Sequence, residues 1–107
     1  MIVATTEAVA GHAITKTLGT VIGNTIRARH LGKDISAGLR SLVGGEITEY
    51  TGMIAESREQ ALQRMLDRAK ELNADAVVGI RFQTSMIMQG SAELLVYGTA
   101  VQLVQNK

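Results

Sequence analysis

Apolar residues recur at intervals of three and four across residues 49–72, which predicts one long amphipathic α-helix. They form a single stripe that also carries Arg58: Ile54, Arg58, Ala61, Leu62, Met65, Leu66, Ala69 and Leu72. The opposite face is charged, and burial of the stripe, more than ion pairing, stabilises such a helix. Asn73 suits the left-handed residue that often closes a helix.

A short apolar run follows this helix and predicts a strand that begins at Ala76. Strict alternation places Ala76, Val78, Ile80 and Phe82 on one face, and Val77, Gly79, Arg81 and Gln83 on the other. We therefore expect one face to pack on the helix and the other to be partly in water.

The residues before the helix predict two more strands and a second, shorter helix. Residues 2–5 form a short strand, residues 8–11 a loop, and His12–Ala28 a long strand in which Gly19 and Gly23 indicate a bulge or a sharp bend. Two strands joined near Gly19 are the alternative. After a loop, Asp34 caps the short helix, whose narrow apolar stripe (Ile35, Leu39, Leu42, Val43) ends at Gly44 and Gly45.

The last strand is predicted over Ser91–Gln105, after a turn at residues 86–90. Its apolar residues lie on both faces: Leu94, Val96, Ala100 and Val104 on one, and Leu95, Tyr97, Val101 and Leu103 on the other. A strand that is apolar on both sides is covered on both sides. The long helix covers only one of them, so the other needs the short helix or another subunit.

Composition supports one α+β domain, residues 1–107, with a mainly antiparallel sheet, one long helix and one short helix. Hydrophobic residues make up 46% of the chain but aromatic residues only 3%, with 11 glycines. A core built from such small side chains buries little apolar surface per residue. We therefore expect the subunit to bury further apolar surface against other copies in a homo-oligomer.

Charge and residue usage exclude several classes of function. A net charge of +1 and three aromatic residues argue against nucleic acid as a partner. The absence of cysteine removes disulfides, thiolate catalysis and thiolate metal sites. No run approaches the roughly 18 apolar residues of a membrane span, and the first residues do not read as a secretory signal. We expect a cytoplasmic protein without a membrane partner.

Two segments carry a resemblance to a known family. Residues 34–45 read DISAGLRSLVGG and precede Tyr50, and residues 72–80 read LNADAVVGI. Their order and spacing resemble the YbjQ-like family, also called UPF0145 or DUF74, over nearly the whole chain. The chain departs from the family pattern at Asn73, where a glycine is common. The resemblance implies a ring-shaped homopentamer of α+β subunits. It implies no assigned activity, and the family's heavy-metal label rests on structural analogy.

The candidate metal ligands for a divalent ion are His12, His30 and Asp34, without a recognisable ligand spacing. The alternative is that both histidines are solvated residues of loops or strand ends. Met86 and Met88 are two apart and could face one way as a thioether pair suited to Cu(I), but hydrophobic packing or a flexible hairpin tip is the interpretation that we favour.

If the ligand is a small anion, Arg40 is the residue predicted to bind it through two hydrogen bonds, and the basic residues Arg29 and Lys33 lie close to it in the sequence. The alternative is that Arg40 pairs structurally with Asp34 or with an acid of the next helix. Carboxylate pairs such as Glu56 and Glu59 lie on a solvated helix face, where nothing tunes them for acid–base work.

These observations leave three hypotheses. The first is a non-catalytic oligomeric protein that binds a metal ion or a small anion between subunits. The second is a structural or interaction scaffold in which the ring is itself the functional object. The third is an enzyme with a site between subunits. We expect no catalytic activity.

Overall fold

The computed structural model describes residues 1–28, 48–88 and 90–106. Within them the chain forms β1 (Ile2–Val3), β2 (His12–Ala28), α1 (Thr48–Glu71), β3 (Ala76–Met88) and β4 (Ser91–Gln105). The long helix, the three long strands and the short first strand are as predicted, within a few residues at the ends. The predicted short helix, from Asp34 to Val43, lies outside the described residues.

The strands form one mixed sheet in the order β1-β3-β4-β2, with α1 packed on one face. β4 is central and pairs antiparallel with both β2 and β3, whereas β1 pairs parallel with the start of β3. We call the side that carries α1 the helix face and the other side the open face. The structure is therefore α+β, as predicted, and among the described strands two of the three pairings are antiparallel.

Small side chains on α1 let the helix approach the sheet closely. Its fully buried positions are four residues apart, and Ala61, Met65 and Ala69 each have 0% of their surface exposed. They pack on Val21, Val77, Val96 and related residues of the sheet. Ile54 and Leu72, at the two ends of the predicted stripe, are 52% and 42% exposed. The stripe was thus predicted correctly at its centre, but its ends extend past the core.

The helix ends as the sequence indicates. Asn73 has a φ of 61°, and its amide donates to the Lys70 carbonyl (3.0 Å) while the Ala74 amide donates to the Ala69 carbonyl (3.1 Å). These two bonds form a Schellman motif. They satisfy carbonyl groups in the last turn of the helix, which would otherwise have no hydrogen-bond donor. The Asp75 carboxylate then accepts a bond from the Leu103 amide at 2.8 Å and ties the turn to β4.

A bulge at Gly79 makes the predicted alternation of β3 wrong. Gly79 has a φ of 63°, and the pairing with β4 shifts between Val78 and Arg81. The extra residue turns Ile80 to the helix face beside Val77, while Ala76 and Val78 pack with Val101 on the open face. A glycine in the left-handed region is the usual means of building such a bulge.

The two glycines of β2 have different roles. Gly19 has a φ of 125° and lies at a register shift, as the sequence indicates, within one continuous strand. Gly23 is regular but buried under the helix, where an added Cβ would overlap the Ala61 carbonyl oxygen and lie 2.5 Å from the Met65 amide nitrogen. Its lack of a side chain sets the distance between helix and sheet, and the prediction of a bend there was wrong.

The open face is covered only in part by the described residues. Val9, in the loop after β1, packs against Ala76, Val78 and Val101, with Leu103 beside them. Further along the same face, Ile22 is 40% and Ile26 59% exposed, and Tyr97 is 37% exposed. The N-terminal loop, which we did not predict to cover this face, thus takes one end of it.

We expect Gly23→Ala to lower the free energy of unfolding by about 3 kcal/mol or more, because the helix backbone itself must move away from the strand. Urea unfolding followed by circular dichroism at fixed protein concentration measures the change. Thr17→Ala, on an exposed part of the same strand, is the control and should stay within about 0.5 kcal/mol of the parent. A Gly23→Ala variant as stable as this control would contradict the close contact.

A buried hydrogen bond joins β2 to α1: the Thr25 hydroxyl donates to the Ser57 carbonyl oxygen at 3.2 Å. Thr25→Val keeps the shape and removes the donor, so we expect a loss of about 1 kcal/mol in the same unfolding measurement. Thr15→Val removes the same kind of bond, to the Gln102 carbonyl, at an exposed site and should cost much less. Equal losses at the two sites would show that burial does not strengthen the bond to Ser57.

Candidate functional site

A cleft of about 280 Å³ lies between the start of α1 and the far end of the sheet. We call it the distal cleft. It is lined from β2, α1, β3 and β4 by Thr25, Ile54, Ser57, Thr84, Met86, Gly90, Ser91, Ala92, Glu93 and Leu94. The cleft forms because α1 lies over β2 and β4 and makes few contacts with β3. A space therefore remains between the start of the helix and the helix face of β3 beyond Arg81.

The walls of the distal cleft are mainly apolar, with hydroxyl groups among them. Ile54, Met86 and Leu94 contribute aliphatic or thioether surface, and Thr25 uses its hydroxyl in the bond to Ser57. Glu93 is the one ionisable residue among the lining residues, and its carboxylate accepts a bond from the Asn24 amide at 3.1 Å. Such walls can hold an apolar group, but they place no acid beside a base.

His12 lies at the other end of the molecule, where β2 begins opposite Gln105. It is half-buried, and its Nδ1 lies 3.0 Å from the Ala10 carbonyl oxygen. A carbonyl can only accept, so in the neutral ring the proton is on Nδ1 and the lone pair is on Nε2. This is the state in which an imidazole binds a metal ion, with a carbonyl orienting the ring from behind.

Among the predicted site residues, His12 is the one that lies within the described part of the chain. His30 and Asp34, the other predicted metal ligands, lie outside the described residues, as do the predicted anion ligands Arg29, Lys33 and Arg40. Among residues 1–28, 48–88 and 90–106, no group of three or more histidine or acidic side chains could hold a metal ion. One described chain therefore offers His12 as a single ligand, and not a complete metal site.

The thioether pair, the less favoured interpretation of Met86 and Met88, is excluded by the register of β3. Met86 pairs with Ala92 and Met88 pairs with Ser91, so a register shift between them puts the two side chains on opposite faces of the sheet. They are 80% and 65% exposed. A copper ion cannot bind both from one strand, because the bulge removes the two-residue repeat on which that idea depended.

Sequence reasoning missed the distal cleft, because its walls come from four elements that are distant along the chain. The hydroxyl residues Thr25 and Thr84 carry no motif, and their meeting depends on where α1 crosses the sheet. A faint signal was present in the sequence: the last three residues of β3, Met86 to Met88, are all apolar.

No helix in the described part of the chain is long and apolar enough to cross a membrane.

Comparison with known proteins identifies a family of similar sequences. A family model described as "Putative heavy-metal-binding" matches residues 1–104. A UPF0145 protein of Methanosarcina acetivorans is 60% identical over 99% of this chain and 100% of its own length. One from Thermus thermophilus is 56% identical, over 96% of this chain and 90% of its own.

A solved structure has the same fold. It is the crystal structure of a DUF74-family protein of unknown function from Pediococcus pentosaceus, with a TM-score of 0.69 and 18% identity, and the match covers 97% of this chain and 98% of that one. At this identity the likeness concerns the fold alone. The whole-length family match and the relatives near 60% identity show that the chain belongs to the YbjQ-like family, also called UPF0145 or DUF74.

Proposed function

We propose that the chain is a non-catalytic subunit of a closed homo-oligomeric ring of five copies, which binds a divalent metal ion where subunits meet. The observation that carries the ring is the apolar surface that the described residues leave in water. Phe82, Met86 and Met88 on β3, with Ile22 and Ile26 on β2, are all at least 40% exposed. They lie on both faces of the sheet, with Phe82 and Met86 on the helix face and Ile22 and Ile26 on the open face. Large apolar side chains left in water on both sides of a small domain are typical of surfaces covered by a partner.

The metal ion is favoured over the small anion by one feature, the orientation of His12. Its Nδ1 donates to a backbone carbonyl, so Nε2 is the free coordinating atom. A ring repeats each side chain once per copy, so a shared site needs only one or two ligands from each chain. The family description points to the same class of ligand.

The second candidate is a scaffold ring that binds no small ligand. The distal cleft favours it, since mainly apolar walls suit a side chain of another protein better than an ion. The two candidates share the ring and differ in the metal ion.

Native mass spectrometry of freshly purified protein tests the ring and the ligand together. We expect a species of five times 11.4 kDa, with additional mass from bound metal. A ring without added mass would favour the scaffold. A single species at 11.4 kDa, stable on dilution, would contradict both candidates.

Calorimetric titration of chelator-treated protein with Zn²⁺ tests the role of His12. We expect His12→Asn to weaken binding at least tenfold, because the amide replaces the Nδ1–H donor but provides no atom in place of Nε2. Lys16→Gln, on the exposed part of the same strand, is the control and should bind as the parent does. Unchanged affinity in His12→Asn would remove His12 from the site.

A further inference from the structure

Residues 1–8 lie along the edge of the sheet without joining its core. They pair in parallel with the start of β3, with Ile2 opposite Ala76 and Val3 opposite Val77. Seven of these eight residues are exposed, and the remaining one is half-buried. None of them belongs to either apolar cluster of the described chain or packs against one. We call this segment the N-terminal strap.

Backbone hydrogen bonds hold the N-terminal strap against β3. The Ile2 amide donates to the Asp75 carbonyl oxygen at 3.2 Å, and the Ala4 amide donates to the Val77 carbonyl oxygen at 3.0 Å. These bonds lie at the surface, and few apolar contacts accompany them. A segment held in this way is of the kind that opens locally, at a lower free energy than the whole fold requires.

The bulge in β3 turns neighbouring donors towards the N-terminal strap. Three successive residues of β3 donate to three successive carbonyl oxygens of the strap: the Gly79 amide to Thr6 (2.8 Å), the Ile80 amide to Ala4 (3.2 Å) and the Arg81 guanidinium to Thr5 (2.9 Å). In a regular strand successive amides point to opposite edges, and the left-handed Gly79 lets two neighbouring amides point to the same one. We call residues 79–81 the clasp.

The N-terminal strap ends at a turn that is fixed to the sheet. The His12 amide donates to the Val9 carbonyl oxygen at 3.1 Å, and Gly11 has a φ of 77°, as the third position of a type II turn requires. The Asn106 amide, just after β4, donates to the Gly11 carbonyl oxygen at 2.8 Å. Val9 itself packs against the cluster on the open face. An opening that starts at residue 1 therefore stops at Val9.

We infer that the N-terminal strap is a removable cover of the β3 edge, which opens and closes as one unit while the rest of the sheet stays folded. Opening releases the clasp and leaves the backbone groups along residues 75–81 without partners. An edge of this kind accepts an extended segment through backbone hydrogen bonds. In the closed state the chain itself occupies this edge and keeps other strands from it. The cover operates within one chain and needs neither the ring nor a metal ion.

Amide hydrogen exchange of the full chain, followed residue by residue by NMR, measures the opening. We expect the Gly79 and Ile80 amides to exchange at least tenfold faster than the amides of β4 at the centre of the sheet, because opening of the strap is enough to expose them. Rates as slow as those of β4 would mean that the strap opens only when the whole fold opens, and would overturn the inference.

A disulfide staple tests whether the strap is the part that moves, and the absence of cysteine gives a clean background. Val3→Cys combined with Val77→Cys places the two thiols at partner positions, with Cα atoms about 4.8 Å apart, which suits a disulfide. We expect oxidation to slow exchange of the Gly79 and Ile80 amides at least tenfold, and reduction to restore it. The single variants are the controls. Exchange that the staple leaves unchanged would overturn the inference.

Arg81→Gln gives a second variant at an exposed position, where folding does not depend on the side chain. It removes the guanidinium from the clasp, so we expect the Gly79 and Ile80 amides to exchange about threefold to tenfold faster, with β4 unchanged. Arg64→Gln is the matched control, because Arg64 also donates to a backbone carbonyl, that of Asn24, away from the strap. Equal rates in the two variants would overturn the role given to Arg81.

Discussion

The close contact between α1 and β2 is the constraint on which the other features of this molecule depend. Gly23 has no side chain, so the helix backbone at Ala61 and Met65 can lie directly on the strand. The helix is thereby seated over β2 and β4 and hardly touches β3. The helix therefore leaves the helix face of β3 beyond Arg81 uncovered, and among the described residues this both opens the distal cleft and exposes Phe82 and Met86.

The same contact explains how a chain with so few aromatic residues builds a core. Alanine at positions 61 and 69 brings the helix near enough for valine and isoleucine to fill the remaining space. On the open face, Val9 and Leu103 cover a smaller cluster around Val101. The molecule is 58 Å long, and the end of it that carries residues 86–88 of β3 has strands but little covering in the described chain.

The proposed ring and the proposed metal site use opposite ends of the molecule. Exposed apolar side chains lie at the end of β3, and His12 lies where β2 begins. In a symmetric assembly each copy contributes the same residues to its neighbours, so a site that is partial on one chain is completed between chains. Family membership places the chain among relatives from both archaea and bacteria, and it assigns no ligand.

Local signals were sufficient for much of the fold. The periodicity of residues 49–72, the left-handed Asn73 and the start of β3 at Ala76 were all read correctly, because each depends on neighbours within a few positions. The site was less predictable. His12 was singled out as a ligand type, but its carbonyl partner and free Nε2 became visible only in the structure, and the distal cleft has no local signature.

Tertiary structure decided the rest. Gly23 and Gly79 are the same residue type, yet one admits a helix and the other builds a bulge, because the first lies under α1 and the second at a register shift. That bulge moved Ile80 to the helix face, and a second shift separated Met86 from Met88. Sequence alone thus determined which of the described segments are helix and which are strand. Which face each side chain occupies was decided by pairing and packing, since one extra residue in a strand reverses every position after it.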